Sequence, residues 1–111
     1  MDLENTQSQM RKGILEFCIL QIISTESRYS SDIISELKAA KLIVVEGTLY
    51  PLLTRLKNAE LLQYKWEESK SGPPRKYFEL TEKGKKFLEA LNKTWTDLDF
   101  AVQTILTNHP K

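Results

Sequence analysis

The chain has 111 residues, of which 41% are hydrophobic and 28% charged, and a formal net charge of +1. This is the make-up of one soluble globular domain with an ordinary core, expected in a reducing cytoplasm because the single cysteine, Cys18, has no internal disulfide partner. No apolar run approaches the ~20 residues that cross a bilayer, and the acidic start Met1-Asp2-Leu3-Glu4 lacks the basic-then-apolar order of a secretory leader.

The first predicted helix runs from about Leu3 to Ser24. Met10, Ile14, Phe17 and Cys18, then Gln21-Ile22, follow the i, i+3, i+4 rhythm of a buried stripe. Cys18 on that stripe reads as a small core residue. Ser30 or Ser31 offers the N-cap of a second helix, with Asp32 in its first turn and Ile33, Ile34, Leu37 and Ala40 on its apolar face. Leu42 to Val45 is a β-prone connection, read as one rung of a small sheet.

A third helix follows, from near Glu46 to Asn58. Proline loses no helical bond only in the first turn, so Pro51 favours Thr48 as the N-cap. Leu49, Leu52, Leu53 and Leu56 point inward, which leaves Thr48, Tyr50, Thr54, Arg55 and Lys57 for other directions. The period then changes from 3.6 to 2: Leu62, Tyr64 and Trp66 alternate with Gln63, Lys65 and Glu67 as a half-buried strand. The turn-rich Ser69-Lys70-Ser71-Gly72-Pro73-Pro74 leads into a second strand, Arg75 to Leu80, making a hairpin with a basic tip. Between Lys65 and Lys86 there are 7 basic and 4 acidic residues, so this stretch is locally positive.

Thr81 is the predicted cap of the last helix. Leu88, Leu91, Trp95, Leu98, Val102 and Ile105 are spaced 3, 4, 3, 4 and 3 along it, a heptad seam that predicts pairing with a second copy, helix 1 packing nearby. The fold class expected is mostly α with a small β-hairpin. A winged helix-turn-helix occupies residues 1–81, and a dimerisation helix with its tail residues 82–111.

Catalytic chemistry finds little to work with. The only histidine, His109, stands next to the end of the sequence, and with one Cys the common zinc sets cannot be assembled. Neither a Walker loop nor a GxGxxG stretch occurs. An enzyme, a metal and a cofactor are therefore not expected, and a membrane is not an expected partner. A hydroxyl-rich third helix (Thr48, Tyr50, Thr54, with Arg55) beside a basic wing (Lys70, Arg75, Lys76) instead predicts double-stranded DNA as the partner. The alternative is a winged-helix protein–protein interaction module without DNA binding, which has no special need for that basic wing.

Glu46-Gly47-Thr48-Leu49-Tyr50-Pro51-Leu52-Leu53-Thr54-Arg55-Leu56 and Gly72-Pro73-Pro74-Arg75-Lys76-Tyr77-Phe78-Glu79-Leu80-Thr81-Glu82-Lys83-Gly84 resemble two blocks of the PadR family of bacterial winged-helix transcriptional regulators. With a single C-terminal helix, the chain is similar to the short PadR-like subgroup. The resemblance implies a homodimeric repressor on an inverted-repeat operator, often relieved by a small molecule. It adds Tyr29, Ser31 and Pro51 to the candidate DNA-binding residues. In some short members a tryptophan placed like Trp95 stacks planar aromatic compounds at the dimer interface, so Trp95 either packs the dimer or also holds a small aromatic inducer. Two stretches depart from the pattern. Tyr29-Ser30-Ser31-Asp32 stands where Tyr-Gly-Tyr-Glu is usual, and Glu60 replaces a glycine after helix 3, where a left-handed backbone would cost roughly 1 kcal/mol.

Overall fold

Asp2 starts the first helix, its carboxylate accepting the Glu4 N–H at 3.1 Å, and α1 runs Leu3–Ser24. The computed structural model describes residues 1–42, 44–69 and 72–111. The stripe of α1 that enters the core is Ile19, Leu20 and Ile23, one position round from the expected face. Ile14, Phe17, Cys18 and Ile22 are only half-buried, and Met10 is 72% exposed. Periodicity located the helix but not which of two neighbouring apolar stripes meets the rest of the chain. Burial raises the Cys18 thiol above its ordinary pKa, which makes it a poor nucleophile.

After β1 (Arg28–Tyr29), α2 spans Ser30–Ala39 and α3 spans Glu46–Asn58. The cap position of α2 is Tyr29 rather than Ser30 or Ser31. Ser30 is already helical and buried, and the Asp32 carboxylate reaches back to accept the Tyr29 N–H at 3.0 Å. In α3 the cap is Val45, not Thr48: the Val45 carbonyl accepts from the N–H groups of both Thr48 and Leu49, each at 3.0 Å. Pro51 therefore lies inside the helix and leaves the Gly47 carbonyl without its usual donor. Gly47 is exposed, so water can serve that carbonyl.

Both helices end alike. Leu42 N–H bonds Leu37 C=O at 2.8 Å and Lys41 N–H bonds Lys38 C=O at 3.0 Å; Leu61 and Glu60 repeat the pattern with Leu56 and Lys57 at 3.0 and 2.9 Å. These are Schellman closures, and they place Lys41 (φ 70°) and Glu60 (φ 65°) in the left-handed region that favours glycine.

Strands β2 (Leu62–Ser69) and β3 (Gly72–Leu80) form the hairpin, and β1 adds a third rung in the order β1-β3-β2, all antiparallel. The third rung is thus Arg28–Tyr29, paired with Phe78 and Tyr77, and not the connection Leu42–Val45. Leu42, Val44 and Val45 are outside any strand, and Ile43 lies outside the described residues. Gly72, Pro73 and Pro74, expected in a turn, belong to β3. Proline is tolerated there because β1 pairs only as far as Tyr77, leaving that part of β3 unpaired on one side.

α4 is a 27-residue helix, Glu82–Asn108, capped as expected by Thr81, whose hydroxyl accepts the Gly84 N–H at 2.9 Å. The same hydroxyl donates to the Glu60 carbonyl at 2.6 Å, and the Thr81 N–H donates to the Leu61 carbonyl at 3.1 Å. Gly84 is pressed against that residue: a Cβ there would collide with the Leu61 carbonyl oxygen. The core between these elements is Ile19, Leu20 and Ile23 with Ile33, Leu37, Leu49, Leu53, Leu56, Phe78 and Leu88 among its buried members.

Candidate nucleic-acid interface

Burial of Leu49, Leu53 and Leu56 turns the other side of α3 outward. Thr48, Tyr50, Pro51 and Thr54 are all exposed on it. Tyr50 is not free-standing. Its hydroxyl lies 3.1 Å from Oγ of the buried Ser30, which braces the ring against the start of α2. Arg55 leaves this group, because its guanidinium turns toward α1 and pairs with Glu16 at 2.9 Å. Ser31 is exposed on α2 but does not line the cleft described next.

The wing carries its cations on opposite faces of β3. The Arg75 guanidinium lies 4.8 Å from the ring centroid of Tyr29, which in turn packs on Tyr77 at 5.9 Å. On the other face the Lys76 ammonium sits 4.5 Å from the Tyr64 ring and 5.4 Å from Trp66, its cross-strand partner. Such contacts hold flexible cations in place without neutralising them. Tyr29, Tyr50, Arg75 and Lys76, all singled out from sequence, come together with Trp66 around one open cleft of about 270 Å³. Lys70 lies outside the described residues.

Sequence reasoning passed over Trp66, expected half-buried but 59% exposed, and Lys57, whose ammonium is 5.5 Å from the Tyr64 ring. Alternation put Trp66 on the core face of β2 correctly, beside Tyr64 and opposite Lys76. It could not show that the core ends one residue pair earlier.

The heptad seam of α4 is divided by the fold. Leu88 is 5% exposed within the chain's own core, and Leu91 packs against that core, so Leu88 has no surface left for a partner. Trp95 meets Phe17 of α1 at 6.3 Å between centroids, and Asn92 bonds Gln21 at 3.3 Å. Beyond Trp95, which is 42% exposed, Leu98, Val102 and Ile105 stand in the open. Among the described residues no group of three or more His, Cys, Asp and Glu could hold a metal, and no helix is long and apolar enough to cross a membrane.

The sequence model of the transcriptional regulator PadR-like family matches residues 19–90, from the core stripe of α1 through the wing into α4. The chain belongs to the PadR-like family. Its members are transcriptional regulators and not enzymes. A PadR-like transcription factor of Bacteroides fragilis is 59% identical, with 91% of this chain and 98% of that one covered at a TM-score of 0.78. A PadR-like transcriptional regulator of Bacillus cereus is 39% identical over 89% of this chain and 97% of its own, at 0.80. The Bacillus subtilis PadR, solved in complex with operator DNA, shares the fold at 21% identity and a TM-score of 0.64, over 70% of this chain and 46% of that one. The architecture is therefore the PadR-like winged helix-turn-helix continued into a long C-terminal helix.

Proposed function

We propose that this PadR-like protein is a homodimeric repressor that binds an inverted-repeat operator. The observation that carries the reading is the convergence of Tyr29, Tyr50, Arg75 and Lys76, from three separate elements, on one exposed cleft beside the outward face of α3. Thr48, Tyr50, Pro51 and Thr54 supply hydroxyls and an aromatic edge for the major groove, and Arg75 and Lys76 supply charge for phosphates. Ser31 and Tyr29 flank this face at the start of α2. The operator-bound B. subtilis PadR supports the same use of the fold.

A single wing and helix cover few base pairs, so a second copy is required for an operator-sized footprint. Leu98, Val102 and Ile105, with Leu91 and Trp95 at the edge, form the surface that the partner covers. A small aromatic molecule stacked on Trp95 at that interface releases the repressor, since a ring pair across a two-fold axis accommodates a planar guest.

The test is selection of duplexes from a random-sequence pool, followed by mobility shifts with the recovered and scrambled sequences. Recovery of a palindromic site bound far more tightly than its scrambled form is expected. Enrichment of no duplex at all would reject DNA binding.

A further inference from the structure

The outward side of α3 and the under-face of the wing do not lie on one flat surface. Tyr50, Thr54 and Lys57 form one wall, Tyr64, Trp66 and Lys76 the other, and Leu53 and Phe78 lie between them. Two adjoining hollows that share Tyr50, Lys76 and Phe78 make this a continuous trough. Lys57 and Lys76 line its walls, Arg75 borders it only at the Tyr29 end, and no carboxylate lines it among the described residues. Its aromatic wall ends in Trp66, whose ring lies perpendicular to Tyr64 with centroids 6.2 Å apart and is open to solvent.

We propose that this trough seats the sugar–phosphate backbone of one DNA strand, and that Trp66 and Lys57 are DNA-contacting residues. The inference rests on the DNA-binding reading above and deepens it. In a duplex the backbone is the ridge between the major and minor grooves. A protein that places a helix in one groove and a wing toward the other must accommodate that ridge between them. The chemistry of the walls matches such a ridge: ammonium groups for phosphate and an exposed ring for the apolar face of deoxyribose. The Lys76 ammonium, 4.5 Å from the Tyr64 ring and 5.4 Å from Trp66, puts a positive charge on that wall. A backbone seat carries no base information, so Trp66 adds affinity for any duplex and leaves discrimination to α3.

The experiment uses the full chain labelled with 5-fluorotryptophan, which gives one fluorine signal each for Trp66 and Trp95, assigned by the Trp66→Phe variant. Adding the selected duplex should shift the Trp66 signal and remove its sensitivity to exchange of H2O for D2O. Trp66→Ala should melt like the parent. It should bind selected and scrambled duplexes about tenfold more weakly per protomer, the scale of ~60 Å² of apolar surface left in water. Trp66→Phe should recover most of that loss. Lys57→Ala should lower the dependence of affinity on salt by about one counterion per protomer. If the parent shifts the duplex while the Trp66 signal keeps its solvent sensitivity and Trp66→Ala binds normally, the trough is not the backbone seat and the wider reading stands. If no duplex is bound by any variant or by the parent, both fall together.

Discussion

The guanidinium of Arg55 lies 2.9 Å from the carboxylate of Glu16, which ties the helix bearing the outward hydroxyl face to the helix bearing Met10 and Phe17. Arg55 is largely exposed whereas Glu16 is not, so removing the arginine strands a partly buried carboxylate. Arg55→Ala should lower stability by about 1 kcal/mol, and Glu16→Gln in that background should return part of it. Operator discrimination should barely change, because Arg55 faces away from Tyr50. Denaturant midpoints and mobility shifts check both halves, and a collapse of discrimination would return Arg55 to the reading face.

Tyr50 separates two roles. Its ring faces outward, but its hydroxyl is engaged with buried Ser30. Tyr50→Phe should cost about 1 kcal/mol of stability, the value of one such hydrogen bond. Tyr50→Ala should additionally cost about 1–3 kcal/mol per half-site in operator binding. Equal operator affinity for the alanine variant and the parent would place Tyr50 in a purely structural role.

Lys41 and Glu60 close helices in a conformation that a side chain disfavours. Replacing either by glycine should raise stability by up to about 1 kcal/mol, and the two gains should add because the sites close different helices. The Lys83–Glu60 pair, at 3.8 Å between exposed groups, is too weak to offset this. Thermal melts of the two single variants and the double variant read it directly. No gain at Glu60 would mean the closure has another form in solution.

Gly84→Ala should behave oppositely. The added methyl meets the backbone of Leu61 rather than a movable side chain, so relief requires α4 to shift from the end of α3. A loss of about 3 kcal/mol is expected. Gly47→Ala, with nothing near its Cβ, is the control that should not lose stability.

For the dimer, Leu98→Asp with Ile105→Asp is a better probe than any change at Leu88 or Leu91, because those two support the chain's own core. The double variant should sediment as a folded monomer at concentrations where the parent is dimeric. A persistent dimer would place the interface on another surface.

Much of this fold was legible. The limits of α1, the C-terminal end of α3, the hairpin and the Thr81 cap all follow from periodicity and capping chemistry, signals carried within a few neighbouring residues. The errors share a different cause. Met10 and Leu88 are both apolar at the right spacing, yet one is exposed and the other buried, because periodicity does not report where a helix leaves the core. A rung of two residues, Arg28–Tyr29, is too short to show alternation. Pro51 marks a helix start only if the helix cannot tolerate one missing bond, and an exposed Gly47 makes it tolerable. At the candidate interface, residue type picked out Tyr50, Arg75 and Lys76, which the fold brings to one cleft, but neither the open position of Trp66 nor the pairing of Arg55 with Glu16 could be read from it. Both depend on which neighbour happens to lie across from them.

The junction at Gly84 has a mechanical meaning. α4 is a rod of about 40 Å at 1.5 Å per residue, and its first turn is fastened to Glu60 and Leu61, which close the turn just after α3. Two hydrogen bonds and the close approach at Gly84 couple the end of α3 to the rod. In a dimer joined along the far half of α4, a change of about 5° in how the two rods cross, acting over roughly 25 Å, displaces each α3 by about 2 Å. That is a substantial error against the fixed spacing of successive grooves, so the fulcrum at Gly84 would turn a small disturbance near Trp95 into a loss of grip on DNA.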